Sequence, residues 1–374
     1  MTVSIRPVRA DEMRAANQFL IDVGLTLPTN PASVDAFWAG RGKDNPALKI
    51  HSTEVAHGWV LEDDGKMVGF FGNLPLAGTY RGMPVRVACA SAWGIHPDYR
   101  DHTEDMCRAY FEQPNVDLLM VTSAIKPTAR RFEQFDGAAI PQPGLAEIPY
   151  WIVDAWGFLR AGFRKKGQGK TMSWIMGMLA SVPLDFTMRM RGRRPYGSIN
   201  HITPVKLDGI DDAFDDLWKR KKRELKDRIV AIRDAATLRW CFGLGSYNDE
   251  TRLIRYDKDG MLLGYAAVVL ETVSDIGLKR LKIADVMIEN DDPDIAKALF
   301  AAAYEYGIAK RCHVVEMIGL PSSLRSLVDK HKPFSRPMAT QPFYCKVVNP
   351  KLADAAGDPE GWYITAFDGD TLIL

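Results

Sequence analysis

The sequence predicts a duplicated α/β fold, and three observations carry that prediction. The first is a repeated heptapeptide: Asp64-Gly65-Lys66-Met67-Val68-Gly69-Phe70 returns as Asp259-Gly260-Met261-Leu262-Leu263-Gly264-Tyr265. The second is the setting of each copy. Asp-Gly supplies the positive-φ geometry of a tight hairpin, and β-prone residues lead into it, Gly58-Trp59-Val60-Leu61 before the first turn and Leu253-Ile254 before the second. The third is the order of elements after each turn, which is the same in both halves.

Taken in order, Val3-Ser4-Ile5-Arg6-Pro7-Val8 reads as a strand, followed by an amphipathic helix with an acidic first turn from Asp11. A Pro/Gly-rich stretch with a short helix near Ser33 to Ala39 leads to the first hairpin. A strand from Ala88 to Ile95, a helix from Glu104 to Gln113, a strand from Val116 to Ser123 and a helix from Thr128 to Phe135 complete the first half. The second half opens with a strand at Ile202 to Lys206 and a helix from Gly209. After its hairpin come a strand (Leu281 to Ile288), a helix (Pro293 to Ala309), a strand (His313 to Gly319) and a helix (Ser322 to Lys330). The expected division is a first domain over 1–148, an aromatic and basic helical linker over 149–199, and a second domain with a C-terminal tail over 200–374.

Composition narrows the function. The 374 residues carry 48 Lys and Arg against 47 Asp and Glu, a net charge of +1, which argues against a dedicated nucleic-acid binder. Five dispersed cysteines, Cys89, Cys107, Cys241, Cys312 and Cys345, form no Cys-x-x-Cys pair and read as reduced thiols. With a chain that runs directly into a strand, no signal peptide is expected and a cytoplasmic protein is. The seven histidines include no i,i+4 pair, so no metal is expected. Gly167-Gln168-Gly169-Lys170-Thr171 imitates the end of a phosphate loop, but Arg164 occupies the place of its first glycine and no apolar strand precedes it.

The linker carries aromatics early, then an apolar stretch from Thr171 to Met188. From Trp156 to Lys206 there are ten Lys or Arg against one acid, Asp185. The stretch is short for a membrane span and holds Pro183 and Asp185, so a buried or interdomain helix is expected. The flanking positive charge keeps a membrane-surface helix open as the alternative. A second basic run, Lys219-Arg220-Lys221-Lys222-Arg223, reads as a solvated helix face with Glu224 and Asp227 interleaved. Together the basic region over 160–233 is the candidate contact for tRNA or for an anionic lipid surface.

The stretch Ala90-Ser91-Ala92-Trp93-Gly94-Ile95-His96-Pro97-Asp98-Tyr99-Arg100 resembles the central strand and cofactor loop of the GNAT acyltransferase superfamily. The order of elements around it resembles the rest of that fold. The resemblance extends over nearly the whole chain as two GNAT-like domains in tandem, each a mixed, mostly antiparallel twisted sheet flanked by helices. It implies an acyl-CoA donor, acetyl or longer, bound near Trp93, Gly94, Ile95, Arg100 and Thr103. The loop departs from the family pattern: Thr103 and Asp105 stand where the glycines should be, and Asp101, Glu104 and Asp105 put negative charge where a pyrophosphate would sit. The second copy, Glu289-Asn290-Asp291-Asp292-Pro293-Asp294, departs further. Glu133 falls where the family carries a tyrosine proton donor, with Lys126 and Ala129 at the other motif positions.

Acyl transfer to an amine needs a base for the amine, polarisation of the thioester carbonyl, and a proton for the departing thiolate. The catalytic candidates are His96 and His102 as bases and Glu133 as acid, with Thr122 and Ser123 at the end of the neighbouring strand as substrate contacts. The expected activity is transfer of an acyl group from acyl-CoA to an amine of a small molecule or amino sugar, with the first half as the active copy. Two alternatives use the same doubled fold: an aminoacyl-tRNA-dependent transferase resembling the FemAB type, and a binding protein without catalysis. The tail, Gly361 to Asp370, alternates like an edge strand and ends in a turn at Asp368-Gly369-Asp370. Its pattern resembles the ending of bacterial tandem GNAT-like proteins, and its two carboxylates fall short of the six oxygens of a calcium site.

Overall fold

The computed structural model describes residues 3–51, 55–244, 250–338 and 341–370. The first half contains β1 (Val3–Pro7), α1 (Met13–Asp22), α2 (Pro31–Arg41), β2 (Gly58–Asp63), β3 (Lys66–Tyr80), β4 (Met83–Ile95), α3 (Thr103–Phe111), β5 (Leu118–Val121), α4 (Lys126–Gln134) and β6 (Ala138–Ala139). The middle segment gives β7 (Glu147–Ile152), α5 (Ala155–Lys165) and α6 (Lys170–Met190). The second half runs through β8 (Ile202–Val205), α7 (Asp212–Glu224), β9 (Ile229–Ala231), α8 (Ala235–Leu244), β10 (Thr251–Lys258), β11 (Met261–Val273) and β12 (Leu278–Ile288). It ends with α9 (Pro293–Ala309), β13 (Val314–Met317), α10 (Ser322–Asp329), β14 (Phe334–Pro337), β15 (Tyr344–Val347), α11 (Ala353–Gly357) and β16 (Trp362–Tyr363).

The two Asp-Gly turns have the conformation the sequence requires. Asp64 and Gly65 sit at φ +46° and +83°, Asp259 and Gly260 at +52° and +76°, the paired positive angles of a two-residue hairpin. A third such turn, Arg81-Gly82 at +48° and +79°, joins β3 to β4, which makes both strands longer than the alternation around them suggested.

These strands form two mixed, mostly antiparallel sheets flanked by helices, in the orders β1-β2-β3-β4-β5-β15-β6 and β14-β7-β13-β12-β11-β10-β8. The second half lends β15 to the first sheet, and the middle segment lends β7 to the second. β15 lies antiparallel between β5 and β6, with Tyr344 opposite Val121 and Val347 opposite Leu118. β7 takes the reciprocal place between β13 and β14, with Ile152 opposite Val314 and Tyr150 opposite Phe334. These insertions satisfy the edges of β5 and β13 with strands distant in the chain.

One continuous apolar core runs through both halves, from Ala16 and Leu20 on α1 to Leu299 and Phe300 on α9 and Tyr363 and Phe367 in the tail. A second lies under α3 and α4, around Trp59, Phe71, Tyr110 and Phe132. The tail departs from the expected edge strand. Residues 361–370 are all buried; Trp362 and Tyr363 pair in parallel with β9, which continues onto β3, and the chain then enters the space between the halves. Apolar Trp362, Tyr363, Ile364, Ala366 and Phe367 follow without regular alternation, which suits a segment enclosed on all sides.

The tail is fixed by a fully buried ion cluster. Arg233 Nε donates to Asp285 (3.1 and 3.2 Å), Nη2 to Asp368 (2.7 Å) and Nη1 to the Ala231 carbonyl (3.0 Å). Thr365 Oγ1 and the Tyr265 hydroxyl each donate to Asp285 at 2.7 Å. Burial disfavours the guanidinium charge, and the two carboxylates outweigh it, so the pKa of Arg233 is raised. Removing one partner of such a cluster leaves the others charged and dry. Arg233→Met is expected to lower unfolding free energy by about 3–5 kcal/mol in urea titrations, whereas loss of an exposed ion pair such as Arg14–Asp35 should leave the midpoint almost unchanged.

Candidate functional site

β4 and β5 run parallel over only three pairs, Val87 with Leu118, Ala88 with Leu119 and Cys89 with Met120. β5 stops at Val121 while β4 continues to Ile95, so the two strands part beyond Met120. At the same level β4 carries a one-residue bulge against β3, with Ala92 at φ +54°. Gly72 lies opposite. A Cβ there would stand 2.1 Å from the Ser91 carbonyl oxygen, so the bulge depends on a glycine across from it.

The tail ends in this fork. Thr122 Oγ1 donates to Asp370 Oδ1 (3.0 Å) and accepts from the Asp370 N–H (3.2 Å), and Ser123 Oγ donates to Asp370 Oδ1 at 3.4 Å. The turn before it, Gly369 at φ +96°, leaves no room for a side chain against Thr122. Arg41, buried at the end of α2, donates to Ser91 Oγ. Burial lowers the pKa of Arg41 and raises that of Asp370, and each charge opposes the other's shift. Arg41 Nη1 and Asp370 Oδ2 have no hydrogen-bond partner among the described residues.

Two adjoining cavities open beside this cluster. One of about 610 Å³ is lined by Arg14, Asp35, Trp38, Arg41, His57 and Asn73. The other, of about 910 Å³, runs along α3 and the edge of β1 and β2, past His51, His57, Trp59, Arg108 and Gln113. His57 belongs to both. Burial, with the Arg41 charge adding to it, lowers its pKa, which favours the neutral imidazole.

The candidates read from the sequence occupy four places. Thr122 and Ser123 meet Asp370. Trp93, Gly94 and Ile95 end β4 opposite Phe71, Phe70 and Gly69, and Gly94 lets α1 approach, since a Cβ there would stand 2.6 Å from Val23. His96, Arg100, Thr103 and His102 line the turn between β4 and α3. His96 is half-exposed, accepts the Asp98 N–H at Nδ1 (3.4 Å) and sits 3.6 Å from the Asp98 carboxylate, while His102 contacts Asp105 at 3.4 Å. Glu133 is exposed on α4 and lies near Tyr344, whose phenol pKa is raised by burial and by the Glu133 charge. The structure does not gather His96, His102 and Glu133 around one point: the histidines flank the β4–α3 turn, and Glu133 sits with β15.

The start of α3 offers little to an anion. A short 3₁₀ turn, Pro97–His102, runs straight into the helix; the Thr103 N–H donates to the Arg100 carbonyl, and the Thr103 hydroxyl does the same at 2.5 Å. Glu104 and Asp105 then occupy the first turn. These residues do not fit a pyrophosphate cradle, because the donors are used internally and the local charge is negative.

The sequence reading missed Arg41, Ser91 and Asp370 as one group. Ser91 and Asp370 lie inside stretches it had singled out, but nothing in a linear pattern shows that the tail returns to β4 and β5. All five cysteines are buried and their thiol pKa values raised, Cys107 and Cys312 to about 11 and Cys345 to about 12, so they are poor nucleophiles. In the second half, β12 and the tail are joined by the buried cluster of Arg233, Asp285, Thr365 and Asp368. The basic run on α7 is largely engaged: Arg220 binds Glu289, and buried Lys221 binds Glu224 and Asp291.

No family model and no curated protein matches the sequence. The fold is shared with solved structures. A probable N-acyltransferase of Enterococcus faecalis aligns with a TM-score of 0.58 at 12% identity, covering 93% of this chain and 73% of that one. A GCN5-related N-acetyltransferase from Anabaena variabilis aligns at 0.56 and 13%, with the same coverage. Eis1 from Mycobacterium abscessus aligns at 0.51 and 11%, covering 95% of this chain and 76% of that one. The fold is therefore that of GCN5-related N-acetyltransferases across most of the chain.

The histidines give this architecture an acid-sensitive side. Burial lowers the pKa of His51, His57, His313 and His331 below the ordinary 6.5. The unfolded chain then binds more protons just below pH 6.5, so stability present above that pH is lost as the pH falls through the folded-state values. The urea midpoint is expected to fall between pH 7.5 and 5.5, and less steeply in His51→Gln. A midpoint that rises over this range would contradict the burial of these rings.

Proposed function

We propose that the protein is an N-acyltransferase that moves an acyl group from a thioester donor to an amine at the fork between β4 and β5, with the first half as the active copy. The observation that carries this reading is the fork itself: a bulged β4 parting from β5, with a buried carboxylate at the apex and a cavity that reaches the cluster at Arg41. The buried cluster that joins β12 to the tail in the second half supports assigning activity to the first.

The fork connects two faces of one sheet. Arg41, Cys89 and Thr122 belong to the side covered by α1 and α2, whereas Phe132, Glu133 and Tyr344 belong to the side of α3 and α4. On this reading the amine approaches from the α1–α2 side, where the cavity past Trp38, Asp35 and His57 suits a small cationic acceptor. Ser123 is exposed at the mouth and hydrogen-bonded to Asp370, whose raised pKa makes it a better proton acceptor than an exposed aspartate. Proton transfer from the attacking amine runs through Ser123 to Asp370, while Arg41 keeps the carboxylate in place. His96, at the end of β4, is the alternative base. The Tyr344 phenol, kept protonated by burial and by the neighbouring Glu133 charge, is the group able to give a proton on the donor side. The donor, acyl-CoA by analogy with the fold, supplies the activated acyl group. Because the α3 turn does not cradle a pyrophosphate, its adenosine end gains less there than its thioester arm gains along β4.

Thiol release from acetyl-CoA and from a long-chain acyl-CoA, measured against a panel of small amines and amino sugars, tests the activity. Asp370→Asn is expected to lower kcat by about 100-fold or more with a smaller change in KM, and Ser123→Ala to lower it by a lesser factor. Absence of amine-dependent thiol release with either donor would refute the reading.

A further inference from the structure

The helix α6 is built inside out for a water-soluble surface. Its buried side carries Ser173, Gly177 and Met188: Gly177 lies against α5, where a Cβ would stand 3.3 Å from Arg160, and Met188 packs with Ile152 and Ala155. The opposite side carries Met172, Ile175, Leu179, Val182, Phe186 and Met190. At 3.6 residues per turn these fall within an arc of about 80°. They are not lightly exposed: Leu179 is 69%, Val182 73%, Phe186 66% and Met190 72% accessible. The expectation of a buried helix is thus overturned; the helix packs through Ser173, Gly177 and Met188 and presents most of its large apolar residues. No helix among the described residues is long and apolar enough to cross a membrane.

The surroundings of that stripe indicate what covers it. Lys165, Lys166 and Lys170 are exposed at one end and make no ion pair among the described residues; Arg191 is exposed at the other. Of the acids near the stripe, Asp185 is neutralised by Arg189 and Arg194, and Asp154, which lines a cavity with Val182 and Phe186, is taken up in capping α5 and lies 4.0 Å from His313. An apolar stripe rimmed by unpaired cations at both ends matches an anionic bilayer surface, which offers acyl chains to the stripe and phosphates to the rim. A second copy fits less well, since antiparallel stripes would bring the lysine end of one helix against the arginine end of the other.

We propose that α6 is a peripheral membrane-docking helix that lies in the plane of an anionic lipid surface, with Leu179, Val182 and Phe186 inserted among the acyl chains. This inference does not depend on acyl transfer. The full chain is tested by flotation with vesicles of phosphatidylcholine alone and of phosphatidylcholine mixed with phosphatidylglycerol. Binding is expected to be at least about tenfold tighter to the anionic vesicles and to weaken as salt rises. The double substitution Leu179→Asp/Phe186→Asp should abolish binding with the circular dichroism and melting temperature retained, and Lys165→Glu/Lys166→Glu should weaken it and reduce its salt dependence. Failure of the native chain to bind anionic vesicles overturns the proposal, as does binding that survives both substitutions. A chain that binds no vesicles but sediments as an oligomer, which Leu179→Asp/Phe186→Asp converts to monomer, overturns it in favour of a second copy as the occupant.

Discussion

Arg233 is a cation out of reach of water, and its neighbours explain much of the molecule. It is held between Asp285 on β12 and Asp368 in the tail, under the rings of Tyr363 and Phe367. A buried charge is tolerable only where opposite charges and donors surround it, so the cluster fixes where residues 362–370 run. Once the tail is anchored there, Gly369 and Asp370 fall against Thr122 in the first half. The same connection joins the two cores into one, since Tyr363 and Phe367 pack among residues of both halves.

The exchange of β7 and β15 works in the same direction by a different force. Hydrogen-bonded edges are satisfied by strands far away in the chain, so neither sheet is complete with residues of one half. The halves therefore resemble one interlocked body more than two beads on a string. That arrangement suits a fork whose apex carboxylate comes from one half and whose strands come from the other, because relative movement of the halves would shift Asp370 against Ser91 and Thr122.

Much of the fold was legible in the sequence because its signals are local. Asp-Gly turns, a Pro-capped apolar helix at Pro293–Ala309 and alternating strands each depend on neighbours within a few positions, and the resemblance carried by Ala90 to Arg100 supplied the architecture. What escaped is non-local. The alternation of Tyr344 to Val347 marks a strand but not its partner, and the composition of Gly361 to Asp370 marks neither burial nor destination. Arg41 carries no signal at all: it is one arginine at a helix end, and only the approach of Ser91 and Asp370 gives it meaning. α6 was misjudged for a related reason. Its apolar content was visible, yet the choice between facing protein and facing solvent rests on the small residues Ser173 and Gly177 meeting α5.

The route of the tail also sets an order in time. Asp370 joins Thr122 from 248 positions downstream, and β15 covers the edge of β5 from a comparable distance. During synthesis, β1 to β5 leave the ribosome with one edge bare and the apex of their fork empty. No nascent chain has a finished cleft until Asp370 itself has emerged. A shortened product, whether from early termination or from a cut before the tail, keeps the central strands but loses the carboxylate between them. Completion of the chain thus becomes a checkpoint on the chemistry of its first half.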